Sequence, residues 1–227
     1  MPATPPRVTW MNTTLKSHAQ VEAAIAEVHR CGLVPHGDRP KNWDALGAVD
    51  LVLKRTLPQA RVLEVGAELY SVLLPWLYQY GYRNLTGIDL VHRRVIRRGP
   101  IICEPGDLTR TRFPDATFDV IGSLSVIEHG VPLDAYFSEM WRLLRPGGML
   151  ITSTDYWHEP VDPRGQTAYG VPIHVFTPAD IDAMIALAER HGFRLTGPLD
   201  TVCDERAVTW KRYGLSYTYI NFALERE

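Results

Sequence analysis

The sequence predicts an α/β protein built on a mostly parallel sheet, and three observations carry that reading. Beyond residue 58, short apolar segments alternate with segments of helical period, the pattern of strands joined by crossover helices. Those strands are apolar along most of their length, as strands covered on both faces must be. Acidic residues then recur where the strands end. A chain of 227 residues, 45% hydrophobic and 22% charged, suits one domain, or one domain with a small appendage.

A formal charge of −2 exerts no overall pull toward nucleic acid or an anionic membrane. Cys31, Cys103 and Cys203 are widely spaced and form no CxxC pair, which fits free thiols in a reducing compartment. No apolar run approaches the ~18 residues of a membrane span, and the N-terminus lacks a signal-peptide pattern. A cytoplasmic protein is the expectation.

The elements follow in order. Residues 1–13 are rich in Pro and Thr and read as loosely ordered. Residues 14–31 form a helix with Val21, Ala24, Ile25 and Val28 on one face, stopped by Gly32. After the polar loop VPHGDRPKNW, a second helix carries Leu46, Val49, Val52 and Leu53 and closes at Pro58. RVLEVG is a strand, SVLLPWLYQYG a helix, NLTGIDL a strand, VHRRVIRRG a short basic helix, and PIICEPGDL a strand followed by a turn. FDVIGSLSV is a strand, DAYFSEMWRLLRPGG a helix with a Pro-Gly-Gly stop, and MLITSTDYW a strand. The next helix has Thr177 as N-cap, Asp180 three residues on and Gly192 at its end. RLTGPLD and SYTYINFALE are the last two strands.

Open parallel sheets bind ligands beyond the carboxyl ends of their strands. Glu64 and Gly66, Asp89 and Leu90, Asp107 and Leu108, the stretch SLSVIEHG and the stretch STDYWHE stand at those ends. Asp89 suits either two ribose hydroxyls or the N-cap of a following helix. Asp107 suits a ligand or an Asx turn. Glu64 is harder to place without a ligand, because a carboxylate in an apolar strand is costly unless it finds donors or a cation. A dinucleotide site would need G-x-G-x-x-G, yet no glycine follows Gly66 until Gly81, and Glu68 would repel a diphosphate. A nucleoside that carries cationic groups tolerates these acids, and S-adenosylmethionine is such a ligand.

The order VLEVG, LTGIDL, GDLTRTRFPDATFDVIGSLSVIEHG, RLLRPGGMLI resembles the class I S-adenosylmethionine-dependent methyltransferases, over about residues 61–227. The resemblance implies a Rossmann-like, mostly parallel seven-stranded sheet with an antiparallel last strand and an N-terminal helical lid. The N-terminal helices and the PHGDRPKNWD loop, residues 1–57, are expected to form the lid, with the cofactor-binding domain in residues 58–227. By the same resemblance, Glu64 and Gly66 border the methionine portion of S-adenosylmethionine, Asp89 binds the ribose, and Asp107 with Leu108 meets the adenine. Ser123, Leu124 and Ser125 line the cofactor beside the methyl. The departure is the opening loop, where Glu68 and Tyr70 replace the second and third glycines of the family pattern. Either the loop is remodelled, with Glu68 near the cofactor ammonium, or cofactor binding is lost.

Methyl transfer from a sulfonium needs chiefly alignment, and a general base is optional. His129, Asp155 and His158 are the candidate bases. Tyr156, Trp157, Tyr169, His174 and Trp43 are candidate substrate contacts, with Lys41 and Asn42 beside Trp43. Loop structure, or packing for Trp43, competes with each. The run of about twenty residues from Asp155 has no clear helix or strand and reads as a substrate loop. His158, Glu159, Asp162 and His174 match no compact zinc spacing, so no metal is expected. The basic run His92–Arg98 reads as a solvated helix face. The expected activity is methyl transfer to a small molecule, a hydroxyl of a sugar or natural product, without nucleic acid or membrane partners and with a homodimer as the compatible assembly. The alternatives are a non-catalytic partner subunit or an RNA- or protein-directed methyltransferase.

Overall fold

The structure, a computed structural model, describes residues 4–227; residues 1–3 of the segment expected to be loosely ordered lie outside it. In chain order come β1 (Thr13–Thr14), α1 (His18–Arg30), α2 (Lys41–Arg55), β2 (Arg61–Val65), α3 (Leu73–Gln79) and β3 (Asn84–Asp89). Then follow β4 (Ile96–Arg98), β5 (Ile101–Pro105), β6 (Phe118–Leu124), α4 (Leu133–Leu143), β7 (Leu144–Tyr156), β8 (Thr167–Ala168) and β9 (Val171–Pro172). The chain ends with α5 (Pro178–Arg190), β10 (Phe193–Leu195), β11 (Val208–Trp210) and β12 (Leu215–Arg226).

The main sheet runs β1-β12-β7-β6-β2-β3-β5-β4, with β10 and β11 also paired to β12. Its centre, β5-β3-β2-β6-β7, is parallel, while β12 lies antiparallel along β7 from Thr218↔Tyr156 to Glu225↔Met149. This is the Rossmann-like sheet with an antiparallel last strand that the resemblance implied. Strand alternation splits the core. Val62, Val120 and Ile151 pack under Leu46, Val49, Leu74 and Leu77 of α2 and α3. Leu63, Ile121 and Leu150 pack under Met140 of α4 and Ile181 and Met184 of α5. Thr177 and Asp180 form the expected capping box on α5.

Three expectations change. The basic run is no helix: Ile96–Arg98 pairs antiparallel with β5 as the outer strand of a hairpin. Val91, Val95 and Ile96 are β-branched, the segment has room for no capped helix before Gly99, and Ile96 packs on the core beside Cys103. The loop after Asp155 contains the small hairpin β8–β9, and the tail gains β11. Residues 4–13 are pinned rather than loose. Val8 is buried, Asn221 Nδ2 donates to the Trp10 carbonyl at 2.6 Å, and the Ala223 amide donates to Asn12 Oδ1 at 2.9 Å. The first helix accordingly begins at His18, capped by Ser17, because Thr13 and Thr14 join β12.

This seam yields a prediction. Asn221→Ala leaves the part-buried Trp10 carbonyl without its donor and should cost about 1–2 kcal/mol. Urea unfolding should show the loss, and limited chymotrypsin digestion should cut faster at Trp10.

Candidate functional site

Strands β2, β3, β5, β6 and β7 end on one rim, and two groups of residues meet there. The first lies over β2, β3 and β6. Glu64 shares its face of β2 with Val62 and is 4% exposed, and no donor reaches its Oε2. Burial, with Asp44 adding to it against a Leu74 backbone amide, pushes its carboxyl up to about 8. Ser123 stands across from Val65 on β6, and Ser125 adopts φ +52°. The Oγ atoms of both serines are buried without partners. Unpartnered buried polar atoms are rare in folded proteins, and here three gather at adjacent strand ends.

Gly66 has φ +72°, and a Cβ there would collide with the Val126 side chain, so no other residue fits without repacking. Tyr70, 61% exposed, donates to Glu68 Oε1 at 2.7 Å. The two side chains that replace glycines therefore hold each other at the surface. Beneath them, His92 Nε2 lies 2.8 Å from the Ala67 carbonyl. Asp89 Oδ1 accepts from the Val91 amide at 2.8 Å; Asp107 Oδ1 accepts from the Thr109 amide at 2.8 Å and its hydroxyl at 2.7 Å. Both acids thus build Asx turns with one oxygen, and the second oxygen of each remains for a ligand. Leu90 is exposed, while Leu108 packs on the α4 side of the core and Leu124 on the α2 side.

The second group lies over β6, β7 and β12. Lys41 Nζ is buried 3.6 Å from Asp44 Oδ2 and 4.5 Å above the Tyr219 ring, with no hydrogen-bond acceptor. Asp44 accepts from the Ser153 hydroxyl at 2.7 Å and the Ala45 amide at 2.8 Å. Glu128 accepts from Thr154 at 3.1 Å. Burial raises Glu128 to about 7 against the pull of Lys41. Burial and then the Glu128 charge raise Asp155 well above the usual carboxylate range. The Tyr217 and Tyr219 phenols are driven up by burial and then by Asp155. Burial, and then Lys41, push His129 down to about 4, which keeps its ring neutral; the ring lies 4.7 Å from Tyr169.

Of the catalytic and substrate candidates, Asp155, His129, Tyr169 and Lys41 lie in this second group, Asn42 is buried against the His36 and Arg39 backbone, and the others lie elsewhere. Alternation along β7 sends Tyr156 to the opposite face, where it is fully buried and donates to the Thr201 carbonyl at 2.9 Å. Trp43 and Trp157 pack in a cluster with Leu15, Val21 and Ala24. His158 is exposed, its Nδ1 3.6 Å from Cys203 Sγ. His174 sits 3.8 Å from Asp180 at the start of α5. Asp44, Glu128, Tyr217 and Tyr219 went unread. Asp44 carried the same signal as Glu64, an acid on an apolar face, and Glu128 stood in SLSVIEHG.

The fold and this rim define an α/β protein with an acid-lined site above its strand ends. Residues 63–152 match the family model described as a methyltransferase domain. That match takes in the strand ends that carry Glu64, Asp89, Asp107 and Ser123, and it agrees with the resemblance to the class I S-adenosylmethionine-dependent methyltransferases. It is 26% identical over 157 residues to a phosphoethanolamine N-methyltransferase of Triticum aestivum, covering 66% of this chain and 30% of that one. The chain thus spans about 30% of the length of this relative, and 28% of a similar one from Zea mays. Among solved structures, an S-adenosylmethionine-dependent methyltransferase from Mesorhizobium loti superimposes with TM-score 0.57 at 16% identity, covering 80% of this chain and 98% of that one. Geranyl diphosphate C-methyltransferase from Streptomyces coelicolor A3(2) does so with TM-score 0.57 at 15% identity, covering 92% and 84%.

Glu64 sets a pH dependence. Its folded value, about 8, lies above the ordinary 4.5, so the folded state holds the proton more tightly. Stability therefore falls as pH rises from about 4.5 toward 8, and the loss is complete above that. Glu64→Gln should remove this loss: its melting temperature should exceed that of the unsubstituted protein by a margin that widens from pH 5 to pH 9, read by differential scanning fluorimetry.

Proposed function

We propose that this chain transfers a methyl group from S-adenosylmethionine to a small-molecule acceptor, a hydroxyl of a sugar or natural product. The observation that carries the reading is the trio of buried, unpartnered oxygens on Glu64, Ser123 and Ser125. They are acceptors placed where the family holds a cationic aminoacyl group, and such a cation would satisfy them. Asp89 and Asp107 each keep a free carboxylate oxygen for the ribose and the adenine amino group. Bound S-adenosylmethionine supplies a methyl already activated on a sulfonium.

The residues of the second group receive the acceptor. Burial raises the carboxyls of Asp155 and Glu128, to about 7 for Glu128, so either, once ionised, can take the proton that an attacking hydroxyl sheds. Neutral His129 and the stacked Tyr169 wall the approach and exclude water. Residues 1–57 cover this side and contribute Lys41 and Asp44, while residues 58–227 hold the cofactor. The matching setting is a reducing cytoplasm, with Cys31, Cys103 and Cys203 as free thiols, and a homodimer is compatible with it.

Calorimetric titration with S-adenosylhomocysteine and S-adenosylmethionine tests the reading. Micromolar binding supports it; none up to millimolar leaves a partner subunit with a lost site. Asp89→Ala should weaken binding at least about tenfold, as expected for losing a hydrogen bond to a charged group. A cation beside Glu64 favours its ionised form, so binding near pH 7 should release a proton and tighten as pH rises toward 8. Titrations in buffers of different ionisation enthalpy would count that proton. Once an acceptor is found by screening, Asp155→Asn should lower turnover by about 10²–10⁴-fold if its carboxylate is the base.

A further inference from the structure

The arginines of the run His92–Arg98 take no part in the site just described. As a hairpin the run stands at the outer edge of the sheet, beside the loop that follows β2. Leu69, Tyr70, Val91, His92, Arg93 and Arg94 line one open cleft of ≈ 390 Å³. The Arg98 guanidinium donates to the Leu69 carbonyl at 2.8 Å and ties the two loops together.

The surface around that cleft is unusual in two ways. Leu69, Tyr70, Leu90, Val91 and Val95 are 47%, 61%, 78%, 56% and 45% exposed. Arg93, Arg94, Arg97 and Arg98 are exposed as well. Among the described residues none of the four pairs with a carboxylate, whereas Arg30 and Arg112 each hold one and Arg142 holds two, at 2.6–2.7 Å. The acids in the neighbourhood, Glu68 and Asp89, accept from Tyr70 and from the Val91 amide rather than from these arginines, and the four guanidiniums outnumber the two carboxylates. The excess gives a locally cationic patch on a chain whose net charge is −2.

We propose that this patch docks the protein onto an anionic lipid surface. Aliphatic side chains flanked by long cationic ones suit such an interface, since Leu and Val enter the acyl boundary while arginines reach the phosphates. A single-stranded nucleic acid site would instead offer a row of exposed aromatic rings for base stacking, whereas here Tyr70 packs edge-on against His36 at 5.8 Å and the exposed apolar residues around it, Leu69, Leu90, Val91 and Val95, are aliphatic. The patch abuts Glu68 and Asp89 on the rim, so docking turns the mouth of the site toward the lipid. The proposal does not depend on which ligand the rim holds.

Co-sedimentation of the full chain with phosphatidylcholine vesicles, with and without phosphatidylglycerol, tests it. The protein should pellet with the anionic vesicles and stay in solution with the neutral ones. Arg93→Glu/Arg94→Glu should lower the partition coefficient at least about tenfold, and Arg93→Gln/Arg94→Gln by less. Leu90→Ser/Val91→Ser should weaken the binding that survives raised salt. All these side chains are exposed, and unchanged circular dichroism would certify folding. No pelleting, equal pelleting with neutral vesicles, or insensitivity to charge reversal would overturn the proposal. So would salt-sensitive binding of RNA in place of vesicles.

Discussion

The buried ammonium of Lys41 is the group on which the acceptor side of the rim depends. It faces Asp44, Glu128 and Asp155, all within the fold and away from bulk water. A charge taken out of water costs several kcal/mol unless a counter-charge and hydrogen bonds replace the solvent. One ammonium cannot neutralise three carboxylates. The cluster answers the excess on Glu128 and Asp155, whose proton affinities burial raises, while Asp44 lies against Lys41 and accepts from the Ser153 hydroxyl. The carboxyls best suited to receive a proton are therefore those the lysine does not hold directly. Because Lys41 and Asp44 both belong to α2, that helix must dock before the cluster has its balance of charge.

This dependence gives the N-terminal segment a larger part than a cover laid over a finished domain. The Asn12, Trp10 and Val8 contacts sew its leading stretch to β12 and the core, and α2 forms half of one helical layer. The same β12 runs along β7 and carries Tyr217 and Tyr219 to the cluster. A single antiparallel strand thus couples the N-terminal anchor, the sheet edge and the acceptor side.

Much of this was legible in the sequence because it follows from local rules. The Thr177–Asp180 capping box, the acids at the strand ends and most of the strand-helix alternation are patterns of near neighbours, and these stand in the structure where the residues placed them. What escaped was settled by geometry at a distance. Tyr156 and Asp155 are adjacent, yet the two-residue period of β7 sends one into the core and the other to the rim, and the register that decides this is fixed by β12. His92–Arg98 carried a helix-like charge run, but pairing with β5 and the burial of Ile96 outweighed it. Asp44 and Glu128 lie far apart in sequence and become meaningful only through Lys41.

The altered glycine loop fits the same physical account. Glycines in such a loop let backbone amides close on an anion or a crowded ligand. Glu68 and Tyr70 need no such conformational freedom here, because they bond each other at the surface while Gly66, the one glycine kept, sits where Val126 leaves no room for a Cβ. Close approach is conserved at the position next to Glu64 and relinquished further out. The interior presents the unpartnered carboxylate oxygen of Glu64 and the hydroxyls of Ser123 and Ser125, a polarity that suits a cation. A phosphate-bearing nucleotide would meet Glu64, Glu68 and Asp89 together; a ligand with ammonium and sulfonium charges meets the same acids as partners. The loop departs from the family pattern in shape, yet the charge of the site it borders still favours the family ligand.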